Sequence, residues 1–183
     1  MKRTAFVLLV MGALVCAQEK GAPKGVLVTK NDVSNIELTV YLVSGLANPP
    51  AATKDEVPPD LNSMLQQLHG VFMYKNYKLV DEFTLRSRNN GGAELGGEID
   101  YIPRGQYDFR YKFARVYPGE HVVHIDGLRL EITQRSVGGN LAPTTVALVA
   151  TDLDVADGQK TVVGKSAHNG DGLFLVVVPK IIP

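Results

Sequence analysis

The triplet Gly164-Lys165-Ser166 contains the residue types of a phosphate-binding loop. That motif also needs a glycine at position 159, where this chain has Gln159, and a helix after the serine whose first N–H groups face the phosphate. The segment 167–172, which follows the serine, has instead the composition of a loop. The spacing therefore predicts a hairpin connection rather than a phosphate site.

Two histidines, His121 and His124, stand three residues apart in a segment with strand periodicity. Side chains at that spacing in a strand point to opposite faces, so they cannot both bind one metal ion. A third ligand, His69 or His168, would have to be brought in by folding. We therefore predict no metal site here.

Three aspartates, Asp152, Asp154 and Asp157, resemble a calcium-binding loop in part. The EF-hand pattern counted from position 152 requires a glycine at 157 and a glutamate at 163, but the chain has Asp157 and Val163. Weak calcium binding stays open as an alternative.

Two glutamates, Glu94 and Glu98, share one face of a predicted strand. Such a pair could serve a glycosidase, although exposed strand faces carry carboxylate pairs routinely. The chain contains no G-x-S-x-G, H-E-x-x-H or C-x-x-C motif. No nucleophile, base and orienting residue can be assembled into one set. We predict no catalytic residue and no cofactor, which favours a protein that is not an enzyme.

Aromatic and charged residues alternate along one segment of the chain. Its aromatic residues fall on one face of a strand and its charged residues on the other: Tyr107, Phe109, Tyr111 and Phe113 against Asp108, Arg110 and Lys112. This pattern is typical of a strand with a core side and a solvent side. An aromatic surface that stacks on sugars or bases is the alternative. The residues predicted for an interaction surface are Arg110, Lys112, Glu131, Lys165 and His168.

The composition fits one globular domain without nucleic-acid binding. The chain has 183 residues, of which 45% are hydrophobic, and its 19 basic residues balance 19 acidic ones. Nucleic-acid binders usually carry a basic excess, so the zero net charge argues against that partner. The single cysteine excludes a disulfide within the chain.

The first residues have the order of a secretory signal peptide. Lys2 and Arg3 precede an apolar run, Ala5–Val15, and small side chains then permit cleavage after Ala17. We predict a signal peptide at 1–17, a flexible leader at 18–35 and a single β-rich domain at 36–183. The protein would be exported, periplasmic or extracellular, with association with the outer membrane as a further option.

Cys16 leaves a second kind of processing open. A bacterial lipoprotein is cut before a cysteine that then carries lipid, but Ala13 and Val15 fit that pattern poorly. We expect membrane association only if Cys16 is lipidated. Cleavage after Ala17 would remove this cysteine.

The rest of the chain predicts a mostly β, α+β fold with an antiparallel sheet or sandwich. Alternating apolar residues at Ile36–Val43 predict a strand, and an apolar stripe predicts one amphipathic helix over about 60–72, with Asp60 as its N-terminal cap. The stripe runs from Leu61 to Phe72 and predicts a helix packed on the sheet, with a partner-binding or membrane face as the alternative. We expect Leu65 on the helix and Phe109 on the sheet to be buried together.

The segment after residue 77 predicts strands joined by tight turns. Leu79, Asp81, Phe83 and Leu85 are expected on one strand face. The remaining expectations are a hairpin at 89–92, a bend at 126–127, a loop at 136–143, a turn at Asp157-Gly158 with Gly158 at positive φ, a loop at 165–172, and a strand at 173–182 buried on both faces with an edge or bulge at Pro179.

Five segments carry a resemblance to a known family: Asn90–Gly97 (NGGAELGG), Val122–Ile132, Thr144–Leu153, Asp157–Gly164 (DGQKTVVG) and Leu173–Ile182 (LFLVVVPKII). Their order over about 77–183 resembles the C-terminal core of secretins, the ring-forming outer-membrane gates of bacterial secretion and pilus machines. The D-G-Q-x-x-V-x-G element is the most specific. Secretins have a second glycine where Lys165 stands, and they have long membrane strands and N-terminal ring domains that this chain has no room for. The resemblance implies a shared β fold or an envelope-associated relative, and it does not imply a pore.

Two functions remain open from the sequence. The first is an exported, non-enzymatic interaction or scaffold module, related to secretin-type assemblies, whose partners are other envelope proteins or further copies of itself. The second is a small secreted carbohydrate- or ligand-binding protein or hydrolase, with a site built from the loops at 136–143 and 165–172.

Overall fold

The computed structural model describes residues 34–49, 54–117, 119–135 and 142–182. The signal peptide, the leader up to residue 33 and most of the loop at 136–143 lie outside the described residues. Within the described ranges a short 3₁₀ helix (Pro59–Leu61) precedes the helix α1 (Asn62–Val71). The strands there are β1 (Asn35–Leu46), β2 (Asn76–Arg88), β3 (Gly91–Ile99), β4 (Gly105–Arg115), β5 (Val122–Gln134), β6 (Thr144–Ala156), β7 (Thr161–His168) and β8 (Asp171–Ile182).

The described strands form two antiparallel sheets of four strands each. The first sheet has the order β2-β1-β8-β7, and the second has the order β3-β4-β5-β6. In the first sheet, β1 and β8 pair from Asn35↔Ile182 to Gly45↔Gly172. The prediction of a mostly β, α+β fold with one helix on an antiparallel sheet is confirmed.

The larger hydrophobic core lies between the inner faces of the two sheets. Alternate residues of each strand enter it, because successive side chains of a strand point to opposite faces. Phe109 of β4 and Leu130 of β5 come from the second sheet, and Leu38 and Leu175 come from the first. The prediction that Tyr107, Phe109 and Tyr111 face the core is confirmed, since each is at most 8% exposed.

A second hydrophobic core covers the opposite face of the first sheet. Leu61, Met64, Leu65 and Leu68 pack there against residues of β1, β2 and β8 such as Phe174. The expectation that Leu65 and Phe109 are buried together is therefore wrong in one respect. Both are buried, at 3% and 0% exposure, but in different cores on the two sides of the first sheet.

The strand β8 is buried on both faces, as its apolar sequence predicts. Leu173, Leu175 and Val177 face the core between the sheets, while Phe174 and Val176 face the helix. Pro179 lies beyond Val177, where the ladder to β7 begins, and its carbonyl accepts a hydrogen bond from the Gly158 N–H at 2.7 Å. A proline fits there because no ladder bond to β7 is lost.

The apolar residues of β2 do not all share one face, contrary to the prediction. The register to β1 shifts by one residue, so that Leu42 pairs with Asp81 but Val43 pairs with Leu79. This bulge turns Leu79 toward the second core, which lies between α1 and the first sheet, whereas Phe83 and Leu85 contact the core between the two sheets. A single extra residue in a strand moves the side chains that precede or follow it to the opposite face of the sheet.

The helix also begins differently from its prediction. Asp60 does not cap α1 with its side chain; its carboxylate accepts a hydrogen bond from the Tyr41 hydroxyl at 3.3 Å and forms an ion pair with Lys160 at 3.7 Å. Val71 leaves the apolar stripe, since it is 74% exposed, whereas Phe72 still packs against the core on this side of the sheet. No helix in the described parts of the chain combines the length and the apolar character needed to cross a membrane.

The predicted turns occupy the expected positions. Asn90 and Gly158 have φ values of 63° and 73°, the left-handed region that tight turns need and that Asn and Gly tolerate. The predicted bend in β5 is a bulge at Asp126 and Gly127, between the pairs Ile125↔Leu153 and Leu128↔Thr151.

Candidate interaction surface

Three of the five predicted surface residues lie on the outer face of the second sheet. Arg110 and Lys112 are exposed on β4, and Glu131 is half-buried on the neighbouring strand β5. Arg110 lies opposite Arg129 in the β4–β5 ladder. Arg110 and Lys112 form no ion pair with any residue in the described ranges, so both cations are available on this face.

Glu131 is engaged by its neighbours on the same face. It accepts hydrogen bonds from Arg129 Nη2 and Thr145 Oγ1, both at 2.8 Å. The hydrogen bond from Arg129 is the main cause that holds the pKa of Glu131 below its ordinary value, and the hydrogen bond from Thr145 is the next largest. Glu131 therefore presents a fixed carboxylate rather than a free one.

Two adjacent bulges change what this face displays. Between Tyr111 and Ala114, β4 has two residues opposite the single Gly92 of β3. The residue that pairs with Phe113 is Asp126, which lies in the bulge that β5 makes against β6. Phe113 is 51% exposed as a result. The prediction that Phe113 faces the core is therefore wrong, because the extra residue turns its side chain outward.

The bulge in β4 needs a glycine on the neighbouring edge strand. A Cβ placed on Gly92 would lie 2.5 Å from the carbonyl oxygen of Lys112 and 2.7 Å from that of Tyr111. Both contacts are with backbone atoms that cannot rotate away. Gly92 is thus part of the arrangement that places Phe113 at the surface.

His124 is held between two carboxylates at the start of β5. Its Nδ1 lies 2.7 Å from Asp154 Oδ1 and its Nε2 lies 2.9 Å from Glu120 Oε2, while the Tyr117 ring packs edge-on at 5.2 Å between centroids. The hydrogen bond to Glu120 is the main cause that raises the pKa of His124. The protonated ring can donate to both carboxylates at once, which the neutral ring cannot.

The other candidate ligands are dispersed among separate partners. His121 precedes β5, and its backbone carbonyl accepts a hydrogen bond from the Asp157 N–H. Asp152 accepts from the Gly127 N–H at 2.6 Å, and Asp157 accepts from the Ile181 N–H at 2.9 Å. Within the described ranges, no group of three or more His, Cys, Asp or Glu residues is arranged to hold a metal ion.

The remaining two predicted residues, Lys165 and His168, belong to the first sheet. They lie on β7, which extends to His168, so the predicted loop at 165–172 is wrong and shrinks to the turn at Asn169-Gly170. Pairing with β8 down to His168↔Asp171 keeps this segment in the sheet. The structure therefore divides the five residues between the two sheets.

Lys165 is exposed but held in place. Its Nζ lies 5.0 Å from the ring centroids of both Phe72 and Tyr74, which belong to the segment that joins α1 to β2. An ammonium group between two aromatic rings is attracted by both ring faces. His168 contacts the side chain of Asn169 at 3.0 Å.

Both sheets end in strands that have a ladder partner on one side only, as far as the described residues go. These strands are β2 and β7 in the first sheet and β3 and β6 in the second. The edge of β2 is partly covered, because Glu56 exchanges backbone hydrogen bonds with Tyr77 and Leu79 at 2.9 and 2.8 Å. The strand β3, with glycines at positions 91, 92, 96 and 97, has an edge with little side-chain cover.

Sequence reasoning missed Phe113 and Glu120 as surface residues. A bulge leaves only a weak signal in the local sequence. Here that signal is a glycine at each bulge: Gly92 on the edge strand, and Gly127, whose φ in the structure is 65°. Glu120 belongs to the β4–β5 connection, and its contact with His124 depends on how that connection folds back.

No family model and no curated protein matches the chain. Solved structures of secretins are similar to it, each over 82% of the chain: the V. cholerae type IV competence pilus secretin PilQ (10% identity, TM-score 0.47), the Salmonella SPI-1 type III injectisome secretin InvG in its open gate state (10%, 0.41) and the E. coli K12 type II secretion system secretin GspD (12%, 0.40). The chain spans 61%, 58% and 49% of the length of those three chains.

These are structures of secretins, the family that the sequence at about 77–183 resembles. With identities of 10–12% and TM-scores below 0.5, the likeness is one of β architecture. It carries nothing about the assembly, pore or partners of this chain.

Proposed function

We propose that the chain is an exported, non-enzymatic β module of the bacterial envelope that binds other envelope proteins or further copies of itself. Export is supported by the signal-peptide pattern at 1–17, and an envelope role by the secretin-like order of segments at about 77–183. The protein would be periplasmic or extracellular. Lipid on Cys16 would add attachment to the outer membrane.

The observation that carries this proposal is the pair of open edges of the second sheet. Among the described residues, β3 pairs with β4 alone and β6 pairs with β5 alone. An edge strand offers a row of backbone N–H and C=O groups to any strand laid beside it. The glycines of β3 leave room for a second backbone to approach closely.

The strand directions of this sheet suit a repeated head-to-tail contact. Each strand of the second sheet is antiparallel to its neighbour, so β3 and β6 at the two ends also run in opposite directions. The β6 strand of one copy can therefore pair antiparallel with β3 of the next copy in the same orientation. Such a contact generates a ring if the rotation closes and a filament if it does not.

The native mass of the exported protein, in solution and in membrane extracts, tests this proposal. We expect a complex larger than one chain in at least one of them. Leu148 is 47% exposed on the edge strand β6, and Leu148→Lys should shift the complex toward the monomer, because a charge on an edge strand opposes strand addition.

Phe113→Lys is the matched control, since Phe113 is 51% exposed but lies on the inner strand β4. It should leave the native mass unchanged. A monomer in every fraction, or equal effects of the two variants, would contradict binding through the sheet edges.

A further inference from the structure

An open cleft of about 480 Å³ lies where the β3–β4 turn meets the end of β5. Ile99 and Ile102 line it and are 3% and 1% exposed, so the apolar part of its wall belongs to the core. Its polar lining comes from both ends of the β3–β4 connection and from Arg135, the first residue after β5. The volume is in the range of small-molecule sites.

The charged side chains of this cleft are not paired with one another. Glu98 and Asp100 bring two carboxylates, while Arg104 and Arg135 bring two guanidinium groups. All four residues are exposed, and none forms an ion pair with any residue in the described ranges. Other charged residues of this sheet do pair, for example Arg115 with Asp126. The cleft thus presents both signs of charge with their hydrogen-bonding capacity open.

The backbone of Arg104 is in an unusual conformation for its residue type. Its φ of 57° lies in the left-handed region, which is disfavoured for residues with a Cβ atom. The turn is fixed by hydrogen bonds from the Gly105 N–H to the Ile102 carbonyl at 2.7 Å and from the Arg135 N–H to the Arg104 carbonyl at 3.3 Å. Such conformations persist where surrounding contacts enforce them, and they concentrate at ligand sites. Here the last of these bonds joins the two arginine positions.

We propose that the cleft binds a small zwitterionic ligand with a free carboxylate and a free ammonium group, as found on an amino acid or a short peptide. The carboxylate contacts Arg104 and Arg135, because the planar guanidinium group donates two parallel hydrogen bonds to a carboxylate. The ammonium contacts Glu98 and Asp100. A simple anion would be repelled by the two carboxylates, and a simple cation would be repelled by the two arginines. A ligand that carries both charges therefore fits best.

Dialanine, N-acetyl-dialanine and dialanine amide are the probes that test this proposal, titrated into the folded protein by calorimetry or NMR. Dialanine carries both end charges, and each of the other two lacks one. We expect saturable binding of dialanine and at least tenfold weaker binding of either blocked form. No saturation by about 10 mM dialanine, a weak limit for a specific site, would overturn the proposal. So would equal binding of a blocked form.

Two variants locate the site and separate binding from folding. Arg104→Asn removes the guanidinium group but keeps a residue that tolerates the left-handed backbone, so the thermal midpoint should not fall. Arg135→Gln removes the second guanidinium group without changing the backbone. Each should weaken dialanine binding at least tenfold.

Arg110→Gln is the matched control, because Arg110 is an exposed, unpaired arginine of the same sheet that does not line the cleft. It should leave binding unchanged. Equal loss in Arg110→Gln would show a general charge effect and overturn the assignment to the cleft. Full binding by both cleft variants would overturn it as well.

Discussion

Gly164 of β7 packs directly against Val149 of β6, which joins the edges of the two sheets. A Cβ placed on Gly164 would lie 2.7 Å from Cγ1 of Val149 and 3.1 Å from Cγ2. Val149 is partly buried and packed against the core between the sheets. The last glycine of the D-G-Q-x-x-V-x-G segment is thus a point of direct contact between the two sheets.

Gly164→Ala should therefore destabilise the fold by about 1–3 kcal/mol, the usual cost of an overpacked site. Chemical denaturation measures this loss. Adding Val149→Ala removes the two methyl groups in conflict, so the double variant should lose less than the sum of the two single losses. Strictly additive losses would show that the close contact is not the cause.

Gly158→Val should destabilise the fold for a different reason. No atom lies within 4 Å of a Cβ placed there, so the cost comes from the φ of 73° alone, about 1–2 kcal/mol. Gly158→Asn should lose much less, because Asn tolerates this backbone conformation. Equal losses for Val and Asn in denaturant unfolding would contradict this cause.

Lys165→Ala should have a small but measurable effect on stability. The ammonium group lies 5.0 Å from both the Phe72 and Tyr74 ring centroids, and exposed cation–π contacts contribute about 0.5–1 kcal/mol. Lys165→Arg keeps a cation at the site and should retain most of the stability. A loss above about 2 kcal/mol for Lys165→Ala would point to an unrecognised structural role.

Leu65→Ala and Phe109→Ala should each be costly, by about 2–5 and 3–5 kcal/mol, because each leaves a cavity in a packed core. The two residues belong to separate cores on opposite faces of the first sheet. Their losses should therefore add to within about 0.5 kcal/mol in the double variant. A larger coupling, measured by denaturation, would mean that the two cores respond as one.

His124 should make stability depend on pH. Its pKa is raised by the hydrogen bond to Glu120, then also by Asp154, so the folded state holds its proton more tightly than the unfolded state does. The resulting stabilisation is fully present below the unfolded value of about 6.5 and is lost as the pH rises through the folded pKa. His124→Gln should therefore reduce stability more at low than at high pH. A pH-independent difference would contradict this account.

Gln18 should be the first residue of the mature protein. Cleavage there removes Lys2, Arg3 and Cys16, the chain's only cysteine, and leaves 17 basic and 19 acidic residues. Mass spectrometry of the exported protein measures the new N-terminus directly. Lipid on Cys16 would contradict this cleavage site and attach the protein to a membrane.

The strands could be predicted from sequence because their alternation is local. Tyr107, Phe109 and Tyr111 follow that alternation into the core, and Phe113 leaves it only because of the bulge opposite Gly92. Leu79 changes face for the same kind of reason. A bulge depends on which strand becomes the neighbour, and this is decided by the whole sheet rather than by the segment itself.

The candidate surface could be predicted in part. Arg110, Lys112 and Glu131 lie on one sheet face because β4 and β5 are neighbours in both sequence and space. Lys165, predicted for the same surface, is exposed, but its place between Phe72 and Tyr74 depends on a contact across nearly a hundred residues of sequence. Long-range contacts of this kind leave no periodic pattern in the sequence.

The pairing of β1 with β8 has a consequence for how the protein is made. Asn35 pairs with Ile182, so the central ladder of the first sheet cannot form until nearly all of the described chain is available. Contacts between such distant segments slow folding, since a long loop must close before they can form. During synthesis the chain therefore stays without its central ladder until β8 emerges from the ribosome. For a protein that we propose to be exported, this delay leaves the first sheet incomplete while the chain is delivered to the membrane.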